Sequence, residues 1–202
     1  KTRAWQTRNP RLPRNPARSD ARTEMRRALL AMTGLALTGC QTIPADAPGA
    51  SADLQPTGRN KATGTVHFYQ MGNRVRVIAR VAGLVPGREH GFHIHEQGDC
   101  GDADFKNAGG HFNPTGAAHG APGDAAHHAG DLGNIEIAAD GSGMLSVSTS
   151  LLTVAEGPNS VAGRAVILHE KADDLKTQPT GDAGGRIACG VIETGTQQQH
   201  DH

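Results

Sequence analysis

Val75-Arg76-Val77-Ile78-Ala79-Arg80-Val81 puts Val75, Val77, Ala79 and Val81 on one side of an extended chain, because successive strand residues project to opposite faces. Just upstream, Lys61-Ala62-Thr63-Gly64-Thr65-Val66-His67-Phe68 leads through a turn at Gly72-Asn73 into that segment, and the two together read as a half-buried antiparallel hairpin. Further strand-like stretches follow at 91–95, 133–138, 143–149, 165–169 and 187–192, separated by clusters of Gly, Pro, Asn and Asp. No helical stretch longer than a turn or two stands out. Short strands at this spacing predict an all-β protein, a sandwich or barrel. Two long segments, 96–131 and 170–186, break the pattern. Loops of that length in a compact domain usually carry function or are disordered, and the histidines in and beside them favour function.

Composition bounds the rest. With 27 Gly, 11 Pro and only 3% aromatic residues among 202, the core must be aliphatic and the loops many. The formal net charge is zero and the pI near 7.3, so nothing in the totals points to nucleic acid or an acidic polymer as partner. Charge is unevenly placed, however. Residues 1–27 are rich in Arg, and Glu96, Asp99, Asp102 and Asp104 crowd the start of the first long loop. The basic stretch could be a nucleic-acid arm, but its position ahead of an export signal makes that the weaker reading.

That signal begins at Met25-Arg26-Arg27 and continues through an apolar run to Leu37, too short to span a bilayer. It ends in Leu37-Thr38-Gly39-Cys40, which resembles a bacterial lipobox and predicts acylation of Cys40 and a membrane anchor. The alternative is an ordinary secretory peptide with an incidental cysteine. Residues 1–24 then lie upstream of the expected start, 25–40 form the signal, and 41–60, with Pro44, Pro48 and Pro56 among small polar residues, read as a flexible tether. The folded domain is expected over 61–195 and a polar tail over 196–202. If Cys40 is acylated, Cys100 and Cys189 remain, to be joined in an oxidising compartment such as the periplasm or left as two buried thiols.

Histidines carry the chemistry. On a strand, His93 and His95 in Gly91-Phe92-His93-Ile94-His95-Glu96 face the same side and can offer nitrogens to one ion, with Ile94 turned away. Such a pair alone is more often a polar face. His169 closes another apolar strand, and the first long loop adds His111, His119 and His128 followed by Asp131. Three imidazoles and a carboxylate make the closed, tetrahedral set that zinc takes in structural sites. His127 adjoins His128, and chemistry alone does not choose between them.

In order along the chain stand G-F-H-x-H-E, a cysteine, H-F-N-P, H-G, H-x-G-D-L-G-N, H-E-K-x-D-D and G-x-R-x-A-C-G-V-I. Over roughly 61–193 this series resembles copper/zinc superoxide dismutase, in its exported bacterial, lipoprotein-like form, and the resemblance implies a Greek-key antiparallel β-sandwich or flattened barrel. The resemblance implies one copper ion held by His93, His95, His111 and His169, and one zinc ion held by His111, His119, His128 and Asp131, with His111 shared. It implies that superoxide is converted to dioxygen and hydrogen peroxide by alternating reduction and oxidation of copper, with His111 and Arg186 as the catalytic residues. Asp173 takes the place of a carboxylate that orients a histidine from each site, Arg186 that of the cation at the substrate channel, and Thr180 that of the opposite rim. Cys100 and Cys189 match the family's disulfide. A homodimer is compatible with the family but not legible in the residues. The connection from Glu170 to Gly185 is shorter than in eukaryotic members, with Lys171 and Lys176 against Asp173, Asp174 and Asp182. Two other readings compete: an exported copper or zinc store without turnover, and an inactive sandwich serving as a surface adhesin. The first gives Arg186 no role, and the complete ligand set argues against the second.

Overall fold

In the computed structural model, which describes residues 48–58 and 60–196, the chain forms β1 (Pro48–Pro56), β2 (Thr63–Met71), β3 (Arg74–Ala82), β4 (Glu89–His95), β5 (Asp131–Glu136), β6 (Gly143–Thr149), β7 (Ala165–His169), β8 (Arg186–Val191) and β9 (Glu193–Thr196). A 3-10 turn over Lys106–Ala108 is the one helical element among the described residues. The strands pair antiparallel in the order β5-β4-β7-β8-β1-β2-β3-β6, with β9 also on β1. The neighbours β4–β7 and β1–β8 are distant in sequence, the crossover signature of a Greek key. A bridge between Ile137 and Gly143 brings the two ends of this order together, so the sheet rolls into a nearly closed barrel.

The opening hairpin forms as its pattern predicts. Met71 pairs with Arg74 and leaves Gly72-Asn73 as a two-residue turn, with Gly72 at φ +60, the first position where a II′ turn favours glycine. Val75, Val77, Ala79 and Val81 point into a core with Val66, Phe68, Phe92, Ile94, Ile135, Val166 and Leu168. The other face of β7 is covered too. Ala165, Ile167 and Cys189 pack there with Phe105 and Ala108 of the 96–131 loop, which is why 165–169 reads as an unbroken apolar run. Cys100 of that loop is bonded to Cys189 of β8, Cα–Cα 5.8 Å, across 89 residues of sequence.

Two expectations need correction. Residues 48–56 are not tether: they form β1, hydrogen-bonded to β2, β8 and β9, so the barrel begins well before residue 61. Ala50, Ala52 and Leu54 are buried while Ser51, Asp53 and Gln55 turn outward, a period of two concealed by small side chains and by prolines. Those prolines stand at the strand's first and last positions, where a missing N–H is tolerated. Thr196 belongs to β9 instead of the tail; Glu193-Thr194-Gly195-Thr196 has no apolar residue to announce a strand. The expected leader with Cys40, the tether's first residues 41–47, and His200 and His202 lie outside the described residues.

Candidate metal centre

β4 separates two environments by simple alternation. Phe92 and Ile94 enter the barrel core, whereas His93 and His95 face outward beneath the two long loops and are fully buried there. Pairing with β7 sets Ile167 opposite His93 and Ala165 opposite His95, and a register shift at the end of β7 brings His169 against Arg186 of β8. A bridge from His95 to His111 pulls the 96–131 loop over this face.

The result is two groups of side chains able to hold a metal ion: His93, His95, His111 and His169, and His111, His119, His128 and Asp131. Within each group one ligand atom per residue lies within 4.8 Å of the others, every residue is buried, and His111 belongs to both. The imidazoles of His93 and His111 stack with centroids 3.9 Å apart. His127 stands aside, its Nδ1–H donating to the His128 carbonyl at 2.7 Å.

Hydrogen bonds from outside the groups decide which nitrogen His93, His95 and His119 offer. His93 Nε2–H donates to Asp173 Oδ2 at 2.7 Å, leaving Nδ1 for a ligand. His95 Nδ1–H donates to the Gly109 carbonyl at 3.0 Å, leaving Nε2. His119 Nε2–H donates to Asp173 Oδ1 at 3.0 Å, so its Nδ1 lone pair points at Asp131 Oδ1, also at 3.0 Å. His111 Nδ1 lies 2.9 Å and His128 Nδ1 3.3 Å from the same oxygen. The His119 lone pair facing a carboxylate oxygen requires a cation or an extra proton between them. Backbone N–H groups of Gly120 and His128 hold Asp131 Oδ2 at 3.2 and 2.9 Å. In the other group, His93 Nδ1 and His111 Nε2 are buried without any hydrogen-bond partner. Leaving such an atom unmatched costs about 1–3 kcal/mol, and coordination would satisfy both. Four imidazoles suit copper and three with a carboxylate suit zinc, so the residues fit the metals that the resemblance implies.

Several residues complete this arrangement, and four of them, Asn134, Gly109, Gln178 and Gly181, have no signal in the sequence pattern. Asp173 is 3% exposed and spans the two groups; Asn134 of β5 holds its backbone on both sides, accepting from Asp173 N–H at 2.8 Å and donating to its carbonyl at 2.9 Å. Gly181, at φ +67, has to be glycine: a Cβ there would come 1.8 Å from Asp173 Oδ1 and 2.7 Å from His119 Nε2. Gln178 grips the His119 backbone N–H and carbonyl at 2.8 and 2.9 Å. The Gly109 carbonyl receives both His95 and Arg186 Nη2, the latter at 2.6 Å, and Arg186 Nη1 reaches the Phe105 carbonyl. Arg186 is thereby held half-buried beside the first group, close enough for its charge to act on His95 and His169. Thr180 is half-buried in the 170–186 loop.

The electrostatics favour neutral donors. Burial, reinforced by His111 and His169, drives His93 well below the ordinary imidazole range. Burial lowers His95 as well, with help from His111 and Arg186, and brings His169 down to about 4. Burial also lowers His128. His119 moves the other way: burial opposes its charge, yet the Asp173 hydrogen bond and the Asp131 charge prevail and raise it. Burial resists ionisation of Asp131, but its bond to His111 and the charges of His119 and His128 hold it low.

A pH dependence follows for the metal-free protein. Histidines lowered on folding bind fewer protons folded than unfolded, so the stability they contribute is present above the unfolded value near 6.5 and lost as pH falls toward 4, the window set by His169. His93, His95 and His128 add in the same direction, and His119 alone opposes. Calorimetry of metal-free protein is expected to show the melting temperature dropping between pH 6.5 and 4; a flat profile contradicts the assignment.

Comparison with known proteins agrees with this geometry. The family model for copper/zinc superoxide dismutase matches residues 62–192, well over half of the chain. An extracellular superoxide dismutase [Cu-Zn] of Caenorhabditis elegans is 48% identical over 137 residues, which is 65% of this chain and 61% of that protein. The chain thus spans about three-fifths of the length of this curated relative. Among solved structures, the crystal structure of the clock protein EA4 aligns with a TM-score of 0.65 at 38% identity, covering 75% of this chain and 96% of that one.

Proposed function

Since the chain belongs to the copper/zinc superoxide dismutase family, we propose that it removes superoxide, turning two superoxide anions and two protons into dioxygen and hydrogen peroxide. The observation that carries this reading is the sharing of His111 between two complete ligand groups, with the Arg186 cation fixed beside the first. Copper held by His93, His95, His111 and His169 would supply a one-electron couple, and zinc held by His111, His119, His128 and Asp131 a redox-inert cation that orders the loop.

The chain's own residues do the rest. Asp173 and the Gly109 carbonyl keep His93 and His95 in the tautomers that aim Nδ1 and Nε2 at a common point. Arg186, held by two carbonyls, offers a fixed positive charge to a small anion, and the family resemblance assigns Thr180 the opposite rim of its path. His111 Nε2, buried and without a hydrogen-bond partner, would be the atom that takes up a proton and passes it to the peroxide product. A metal store would need the same ligands, but it has no use for a guanidinium pinned beside His95 and His169.

The test compares superoxide removal by the metal-loaded protein and by His169→Ala, which deletes one of four donors from the first group only. Wild type is expected to be active and the variant to lose at least a hundredfold. Equal rates in the two, or none in either, exclude the dismutase reading. We further propose that the protein is exported, in keeping with the leader-like segment and the extracellular nematode relative, and that Cys40 anchors it to a membrane facing the periplasm. Mass spectrometry of the mature N-terminus is expected to find an acylated cysteine there; an unmodified terminus would leave a secreted enzyme.

A further inference from the structure

The loops covering the metal centre are joined by a side chain outside both ligand groups. Gln178 Oε1 accepts the backbone N–H of His119 at 2.8 Å, and Gln178 Nε2 donates to the His119 carbonyl at 2.9 Å and to the Lys176 carbonyl at 3.1 Å. A single amide therefore occupies both backbone groups of one residue, as an adjoining strand would. The segment bearing Gln178 is itself braced: Lys176 and Thr177 N–H donate to Asp174 Oδ1 at 2.9 and 2.8 Å, and Gly181 N–H donates to the Thr177 carbonyl at 2.7 Å. From the same loop Asp173 holds the His119 ring. Ring and backbone of His119 are thus anchored separately, 59 residues away in sequence from Gln178.

We propose that Gln178 is the positioning residue of the His119 cation site, fixing the backbone from which Nδ1 is presented and tying the segment of Thr180 to that site. This rests on the reading of His119 as a zinc ligand. Asp173 sets the direction of the ring and Asp131 Oδ2 accepts the next residue's N–H at 3.2 Å, but among the described residues only the amide holds the N–H and the carbonyl of His119 itself.

The test uses the full chain loaded with copper and zinc, as wild type, Gln178→Ala and Gln178→Glu. Glutamate keeps an acceptor for the His119 N–H but turns a carboxylate toward the His119 and Lys176 carbonyls. Zinc release to a chelator is expected to be about tenfold faster in both variants, near the lower end of what loss of a ligand-orienting partner costs. Cobalt placed in the zinc site is expected to show an altered visible spectrum, and the rise in melting temperature on zinc loading to shrink. The residue is exposed, so both variants are expected to fold. Unchanged zinc release, with melting temperatures lowered equally in the loaded and metal-free proteins, makes Gln178 a merely structural contact and overturns the proposal. Wild type that keeps zinc but leaves superoxide untouched sinks the dismutase reading while the release rates still decide Gln178. Wild type that retains no zinc overturns both.

Discussion

Asp173→Ala is expected to reduce metal retention in both groups by ten- to a hundredfold and to abolish most superoxide removal. One carboxylate receives His93 Nε2–H at 2.7 Å and His119 Nε2–H at 3.0 Å, and losing a partner of this kind costs one to two orders of magnitude in affinity at each metal. The two buried N–H groups would be stranded, at about 1–3 kcal/mol apiece, and each ring would be free to turn its other nitrogen away from the ligand set. Asp173→Asn separates the effects, since an amide has one oxygen to accept and its NH2 would face a donor. That variant is expected to hold one histidine and release the other. Metal content after dialysis against a chelator is the measurement, and wild-type copper and zinc in Asp173→Ala would refute the account.

Breaking Cys100–Cys189 by Cys189→Ala is expected to cost about 4–5 kcal/mol, the chain-entropy value for a closed loop of this length, and to lower the melting temperature by about 10–20 °C. The bond does more than shorten the unfolded chain. It fixes the start of the 96–131 loop to β8, and farther along that loop the Phe105 and Gly109 carbonyls hold Arg186 and His95. The reduced protein is therefore expected to lose activity at temperatures where it is still folded. Loss of activity only in step with unfolding, followed by circular dichroism, would confine the disulfide to stability.

Much of the barrel is legible because a strand with one wet face must alternate. Val75 to Val81 declares its register, and Phe92, His93, Ile94 and His95 sort themselves into core and site by parity alone. β1 escaped because Ala50 and Ala52 give a weak apolar signal and its prolines imitate a linker; β9 escaped because it is polar throughout. Neither gap touches the ligands. All seven proposed metal-binding side chains fall together in the folded chain, whereas the groups that aim them, Asn134, Gly109, Gln178 and Gly181, act through backbone atoms or close approaches that no residue pattern records.

The sequence by itself determined the all-β class, the alternation of β4 and the donor set, since these depend on side-chain type and on a fixed period of two. The resemblance to copper/zinc superoxide dismutase, not the chemistry of the pair, named His128 over His127, and in the folded chain it is His128 that lies with Asp131 in the second group. Only the tertiary structure decided which nitrogen of His93, His95 and His119 is free, that His93 and His119 are the two histidines Asp173 serves, and that Arg186 is held in place by carbonyls from 77 and 81 residues away. The physical reason is range. Identity and parity are local properties of a chain, whereas tautomer, desolvation and orientation belong to groups that meet only after two loops have closed over one face of the barrel.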